Sequence, residues 1–505
     1  MHPSIYAKQN PNKPAFIMAK TQEVVTYRQL DERSNRAAHL FRSLGLHVGD
    51  HISILLENSA QFFEVVWAAQ RSGLVYTAIS THLKPDEIAY IVDNSDAKAL
   101  ITSDKYLEMV QQAEKNTPNL RSTIVIGSSR GNFVNYFDST ASLPDTPVSD
   151  QCAGTDMLYS SGTTGCPKGV TVSLSGEGIE TIPAVMTGMM QYYGLGEDTV
   201  YLSPAPLYHA APLRFNMLTM FAGGTCVIMT KFDEVEALEL MEKYKVTHAQ
   251  WVPVMFTRML KVQNKETYDL SSLRVAIHSA APCPPDVKLQ MIEWWGPILD
   301  EFYSCTEGVG LTSINSEEWL SHPQSVGKAK VGTIHILDDD GNAVRPGVVG
   351  NIYFSDGPEF SYHKDPEKTL SARNEVGWFS VGDMGYVDEE GYLYLTDRKS
   401  FMIISGGVNV YPQEVENLLV THPKVFDVAV VGVPNSDLGE EVKAVVQLVP
   451  EATPTEQLAT EIIEFCKARL SHIKCPKSID FDPQLPRYPN GKLYKKKIRD
   501  VYWAV

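Results

Sequence analysis

The segment Tyr159-Ser-Ser-Gly-Thr-Thr-Gly-Cys-Pro-Lys-Gly169 gathers three glycines, four serine or threonine hydroxyls and one lysine into a short stretch. A loop of this kind can wrap a triphosphate. Its backbone N–H groups turn inward, the hydroxyls of Ser160, Ser161, Thr163 and Thr164 add donors around Gly162, and Lys168 supplies charge. It is not a Walker loop, which requires Gly, four residues and then Gly-Lys-Ser/Thr. Counted from Gly162, the second required glycine falls on Pro167. Taken alone, the segment also reads as a polar glycine-rich turn.

The elements around this loop predict a layered α/β protein. Residues 50–56, 74–79, 99–102 and 123–126 read as strands, and residues 59–72 (stopping at Gly73) and 85–93 as helices. This is a βαβ rhythm. It resumes after the loop, with strands expected at 200–202, 225–229 and 275–277 and helices at 235–243 and 285–294. From about Val326 to Thr396 short strands alternate with turns such as Asp339-Asp-Gly-Asn342, which predicts a small β-rich subdomain. After Arg398 a compact α+β unit is expected, with helices at 412–419 and 455–470 and strands at 425–432 and 442–449. The expected organisation is therefore an N-terminal domain over 1–397, a hinge at 398–400 and a small C-terminal domain over 401–505.

Composition narrows the class. A chain of 505 residues carries two to four folding units. Its net charge of -17 argues against a general nucleic-acid binder, which needs a basic face. The seven cysteines (Cys152, Cys166, Cys226, Cys283, Cys305, Cys466 and Cys475) are scattered and form no CxxC pair, so neither a disulfide framework nor a zinc site is expected. No apolar run is long enough to span a membrane and the N-terminus has no signal-peptide core, which points to the cytoplasm. Oligomeric state, monomer or homodimer, is open.

Further segments accompany the loop: Pro206-Leu-Tyr-His-Ala210, Ser279-Ala-Ala-Pro282, Tyr303-Ser-Cys-Thr-Glu-Gly308, Val381-Gly-Asp383, Asp397-Arg-Lys-Ser400 running into Ile404-Ser-Gly-Gly-Val-Asn-Val-Tyr-Pro412, and Pro486-Arg-Tyr-Pro-Asn-Gly-Lys492. In content and order, over essentially the whole chain, they resemble the adenylate-forming superfamily of acyl-CoA synthetases, adenylation domains and luciferases. The resemblance is nearest to fatty-acyl- and aryl-CoA ligases. It implies two steps: a carboxylate attacks the α-phosphate of ATP to give an acyl-adenylate and pyrophosphate, and a thiol, usually that of coenzyme A, then displaces AMP. Because the first step brings an anion against a polyanion, catalysis must screen charge and align the reactants.

The same resemblance implies roles residue by residue. Ser160 to Thr164 and Lys168 would hold the β- and γ-phosphates. Glu307, with Thr164, would hold Mg²⁺, a hard cation suited to oxygen donors. Thr306 would donate to the α-phosphate. Tyr303 would stack on one adenine face, with Ala280, Ala281 and Pro282 on the other, and Asp383 would accept from both ribose hydroxyls. Arg398 would contact ribose or phosphate. Lys492, a compact charge, would bridge the carboxylate and the α-phosphate. The family rotates its small domain between half-reactions, which would bring Ser405, Gly406 and Gly407 to the pantetheine path. His209 would border the reacting carboxylate. Each also has an ordinary structural reading: packing tyrosine, turn aspartate, surface ion pair, flexible glycine turn between strand and helix.

Four positions depart from the family pattern. Ser400 stands at the hinge where aspartate or lysine is usual, and Val381 replaces threonine before Gly382-Asp383. Ser304 replaces the glycine after the stacking tyrosine in the nucleotide-facing turn, predicting a shorter or more polar acyl path. Val408 stands where many relatives carry glutamate.

The segments 215–220, 251–256 and 280–283 include Phe215, Met217, Met220, Trp251, Met255 and Phe256, which predict an apolar acyl pocket for a fatty, aromatic or alicyclic acid. Two alternatives stay open. One is an acyl-AMP-forming enzyme that loads a separate carrier protein, and the other is a nucleotide-binding homologue that has lost ligation.

Overall fold

A computed structural model describes residues 2–128, 133–160, 167–171, 173–380, 382–487 and 493–503. The expected strands and helices are present. A six-stranded sheet runs in the order Val134–Asn135, Ser122–Ile126, Ala97–Ser103, His51–Leu55, Val75–Ala78 and Thr155–Asp156, with every pair parallel. Helices connect His51–Leu55 to Val75–Ala78, that strand to Ala97–Ser103, and the latter to Ser122–Ile126, the crossovers that parallel neighbours need. In the first of them Ala60–Arg71 is bounded by Ser59 and Ser72, and Gly73, at φ +65°, turns the chain back into the sheet.

The second sheet is a path of 13 strands. At its centre Pro14–Met18, Thr225–Ile228, Val200–Ser203, His248–Trp251, Val275–His278 and Leu299–Ser304 lie side by side and parallel. The β-rich stretch joins this sheet through Leu311–Asn315 and Ser325–Val331, whose antiparallel pairing carries it on to Leu393–Arg398, Asp383–Val387, Gly350–Ser355 and Thr333–Leu337. The subdomain expected from the turns is therefore built onto the edge of the large sheet.

Alternation along the strands shows how the layers stack. Tyr201, Cys226 and Ile277 belong to one buried cluster together with Phe62, Phe63 and Phe215; their neighbours Leu202, Val227 and Ala276 belong to another with Trp251, Phe256 and Met291. Successive strand residues point to opposite faces. The helix Ala210–Phe221 therefore lies on one side of the sheet, and Glu234–Tyr244, Pro253–Leu260 and Pro285–Trp295 on the other. The six-stranded sheet splits in the same way, Ile54 and Ile101 facing the shared central layer and Leu55 and Leu100 facing Ile88 and Val110 outside it.

From Ile403 onward the chain has cores of its own. The sheet Val408–Val410, Ile403–Ser405, Gly439–Leu448 and Val425–Asn435, with Ser478–Phe481 parallel beside it, packs Val428 and Val430 under the helices Pro412–Leu419 and Glu456–Lys467. The alternate residues Ala429 and Val431 pack on Ile498 of the helix Lys495–Trp503. Every residue in these two clusters is numbered 403 or higher. Among the described residues no helix is long and apolar enough to cross a membrane, and the described cysteines are free thiols.

Candidate active site

The glycine-rich segment is held at its base by a hairpin. Leu158–Ser160 and Lys168–Thr171 pair antiparallel, with Ser160 opposite Lys168 and Tyr159 opposite Gly169. A side chain at Gly169 would meet the Tyr159 ring at 3.0 Å, so glycine is what lets the two strands close. The Tyr159 hydroxyl donates to Asn94 Oδ1 (2.6 Å), and that of Tyr90 donates to the Pro167 carbonyl (3.1 Å), which ties the hairpin to the helix Pro85–Asn94. Ser161, Gly162, Thr163 and Thr164 lie outside the described residues, as do Val381 and Lys492.

A third strand, Ser361–Tyr362, pairs with Lys168–Thr171 and brings an aromatic ring to Lys168: its Nζ stands 4.6 Å from the Tyr362 ring centroid. The Tyr362 hydroxyl donates to Glu307 Oε1 at 2.7 Å. Lys168 and Glu307, distant in sequence, thus meet on two sides of one tyrosine. Glu307 is 8% exposed. Among the described residues no lysine, arginine or histidine forms an ion pair with it. A shielded carboxylate without a cation partner suits a hard divalent ion, so the residues present fit Mg²⁺.

Glu307 and Thr306 sit on a tight turn at the end of Leu299–Ser304. Gly308 adopts φ +72° and donates to the Cys305 carbonyl (3.1 Å), while Ser304 donates through its hydroxyl to the Gly310 carbonyl (2.7 Å). The serine that departs from the family glycine therefore spends its hydroxyl on bracing this turn. Burial, then the charge of Glu307, pushes the Cys305 thiol up to about 12, so it is not a nucleophile at neutral pH.

Tyr303 donates through its hydroxyl to Asp383 Oδ2 (2.6 Å), and Arg398 Nε lies 3.1 Å from Asp383 Oδ1. Asp383 and Arg398 face each other in register on adjacent strands. A carboxylate has about four acceptor sites, so both oxygens can still accept further donors. Ala280, at the carboxyl ends of the parallel strands, is exposed and adopts φ +77°. This region is sparsely populated for a residue with a side chain, so the loop holds Ala280 at some cost in backbone strain. Ala281 and Pro282 follow it on the same surface loop.

His209 occupies the N-cap position of Ala210–Phe221 without a side-chain capping bond, its ring edge-on to Tyr208 at 4.6 Å. Asn58 fixes the preceding turn, donating to the carbonyls of Ala205 (3.1 Å) and Met229 (2.8 Å) and accepting from the Leu207 N–H (2.9 Å). Ser405, Gly406 and Gly407 form a tight hairpin: Ser405 pairs with Val408, and both glycines have positive φ (57° and 81°), the geometry two-residue hairpins require.

The apolar segments do not form one pocket wall. Phe215, Met217 and Met220 fill the central layer, whereas Trp251, Met255 and Phe256 pack on the opposite face of the sheet. Sequence reasoning also missed Tyr362, which no local signal marks.

Comparison with known proteins agrees with this architecture. The AMP-binding enzyme family matches residues 5–360, and the AMP-binding enzyme C-terminal domain matches residues 414–492. The long-chain-fatty-acid–CoA ligase FadD13 of Mycobacterium tuberculosis is 30% identical, with 99% of this chain and 97% of that protein covered. The fatty acid–[acyl-carrier-protein] ligase ScoC of Streptomyces coeruleorubidus is 28% identical, with 99% and 96% covered. The crystal structure of ATP-bound MatB from Rhodopseudomonas palustris superposes with a TM-score of 0.85 at 27% identity, with 99% of each chain covered. Two domain matches in chain order, with full-length similarity to a ligase, make this chain a member of the AMP-binding enzyme family.

Proposed function

We propose that the protein is an AMP-forming carboxylic acid–CoA ligase acting on an apolar acid, a fatty acid first among fatty, aromatic and alicyclic ones. The observation that carries this reading is a pair of groups, Lys168–Tyr362–Glu307 and Tyr303–Asp383–Arg398, tied together by the segment that runs from Tyr303 to Glu307 at the carboxyl end of Leu299–Ser304. Two relatives named for fatty acids favour that acid class.

In the first step a substrate carboxylate oxygen attacks the α-phosphorus of ATP, and pyrophosphate leaves with the electron pair of the broken P–O bond. Ser160, Ser161, Gly162, Thr163, Thr164 and Lys168 hold the β- and γ-phosphates. Thr306 donates to the α-phosphate. Tyr303 stacks on adenine against Ala280, Ala281 and Pro282, with Ser304 bracing the turn; Asp383 accepts from the ribose, and Arg398 steadies both. His209 borders the carboxylate, and Lys492 bridges it to the α-phosphate. Glu307 and Thr164 would hold Mg²⁺, which when bound offsets phosphate charge. In the second step the CoA thiol attacks the acyl carbonyl and AMP leaves. The domain over 401–505 turns about 398–400, and Ser405, Gly406 and Gly407 line the thiol path. The chain needs only the small-molecule acid, ATP and CoA as partners. Similarity to a carrier-protein ligase supports a second reading of the acceptor.

The test is ATP-dependent pyrophosphate release over a panel of acids, with and without CoA. Thioester appearing only with CoA is the expected result. Pyrophosphate without thioester would move the acceptor to a carrier protein, and no turnover would sink the ligase reading. Lys492→Ala is expected to slow adenylate formation by about 10²–10³-fold while leaving use of supplied acyl-AMP intact. Normal adenylation by that variant would remove the role given to Lys492.

A further inference from the structure

We infer that Tyr362 is a positioning residue of the phosphate and metal corner: its phenol orients Glu307, and its ring keeps Lys168 apart from that carboxylate. The inference rests on the reading of Glu307 as a Mg²⁺ ligand and of Lys168 as a phosphate ligand. Tyr362 lies 55 residues beyond Glu307 in the chain and is 7% exposed.

Its placement is fixed from several directions. Tyr362 pairs with Val170 across the strands. Its N–H donates to Thr369 Oγ1 (2.9 Å), and the next N–H, of His363, donates to the Gly169 carbonyl (2.8 Å). Its ring meets Phe360 edge-on at 5.2 Å.

Two consequences follow. A donor at 2.7 Å takes one acceptor site of Glu307 Oε1 and restrains the carboxylate, which keeps further acceptor sites. Groups that orient a metal ligand in this way govern metal affinity. Lys168, meanwhile, rests 4.6 Å over the ring instead of on the carboxylate. In a shielded corner an ammonium and a carboxylate pair when nothing stands between them. A paired Lys168 would offer less charge to a phosphate, and a paired Glu307 less to a cation. The ring is the spacer, attracting the ammonium through its face without neutralising it.

The experiment measures ATP affinity of the full chain by calorimetry, in EDTA and with saturating Mg²⁺, without acid substrate so that no turnover occurs. Melting temperatures are taken in parallel. Tyr362→Phe keeps the spacer and loses the donor: ATP affinity in EDTA is expected to stay within about twofold of wild type, while the gain on adding Mg²⁺ shrinks about tenfold. Tyr362→Leu loses both, so ATP affinity in EDTA is expected to fall about three- to tenfold as well. A Phe variant with the wild-type Mg²⁺ gain overturns the orienting role. A folded Leu variant with wild-type affinity in EDTA overturns the spacer role; if that variant does not fold, Tyr362→Met, which also lacks the ring and adapts to the space, is measured and read in the same way. A wild-type chain that gains nothing from Mg²⁺ would instead remove the metal reading of Glu307 and the proposal with it.

Discussion

Among the described residues two lysines are buried, and they are buried differently. Lys288, on the helix Pro285–Trp295, is fully buried and faces Glu301 at 2.6 Å, with the Trp319 ring 4.8 Å away. Glu301 and His278 are register partners on adjacent strands, and His278 Nε2 stands 3.6 Å from the same carboxylate. Burial, then Lys288, holds the His278 pKa well below its ordinary value, so the histidine stays neutral and the site contains one cation and one anion. Lys495, on the C-terminal helix, has two carboxylates: Glu416 at 2.9 Å and Asp397 at 3.9 Å. Burial works against its charge, yet Glu416 and Asp397 together hold its pKa above the ordinary value.

The first pair lies inside one packed layer of the large sheet. The second joins three segments: Asp397 from the strand Leu393–Arg398, Glu416 from Pro412–Leu419 and Lys495 from the helix Lys495–Trp503. Its carboxylates are better supplied. Asp397 accepts from the N–H groups of Arg398 (2.7 Å) and Gln413 (3.1 Å), and Glu416 accepts from that of Val430 (2.7 Å). Burial also raises the Glu416 pKa, with Lys495 working against it. The contrast is one of supply: Glu301 faces Lys288 and His278, whereas the carboxylates around Lys495 also draw on backbone donors.

Breaking the first pair is expected to have the largest effect. Glu301→Leu leaves a buried ammonium alone and should cost about 3–5 kcal/mol of stability, seen as a lower melting temperature. Adding Lys288→Met to it should recover most of the loss, since a pair of apolar residues carries no desolvation cost. Equal damage from the single and double variants would break the comparison. Lys495→Met should cost less, about 1–2 kcal/mol, because Asp397 and Glu416 keep their backbone donors. Its penalty should shrink as pH is lowered from neutrality through the carboxylate range, because burial raises the Glu416 pKa and a protonated Glu416 no longer needs a cation. Denaturant titrations across that range check this, and a pH-independent penalty would count against it.

The smallest effect concerns His278. Its folded pKa is depressed below the unfolded value of about 6.5, so the unfolded chain binds the extra proton first as pH falls. Its contribution to stability is present above pH ~6.5 and is lost on acidification, with a slope of at most about 1.4 kcal/mol per pH unit. His278→Gln should flatten the stability profile between pH 6.5 and 5. An unchanged slope would show that His278 is not among the groups that set it.

The chemistry of the candidate site was legible where it is carried by neighbours in the chain. Ser160, Lys168, Thr306 and Glu307 stand in short motifs whose residue types already imply phosphate and cation. Strands such as 99–102 announce themselves as apolar runs between turn residues. Less was visible in Gly406-Gly407, which reads as a loose turn and is a tight hairpin, because its two flanking strands are only three residues each. The expected apolar pocket dissolved for a related reason. Trp251 and Phe215 are equally apolar, and nothing in their own segments says that the sheet separates them.

The amino-acid sequence by itself determined which elements form and which reactive groups the protein owns, because periodicity, capping and turn chemistry act over a few residues. Only the tertiary structure decided which of those groups meet. Alternation says that a strand has two faces but not which layer each face will find. That choice brings Tyr362 between Lys168 and Glu307, sets Lys288 against Glu301, and divides Trp251 from Phe215. It depends on packing between segments far apart in the chain, where a side chain's partner is set by the whole arrangement of layers.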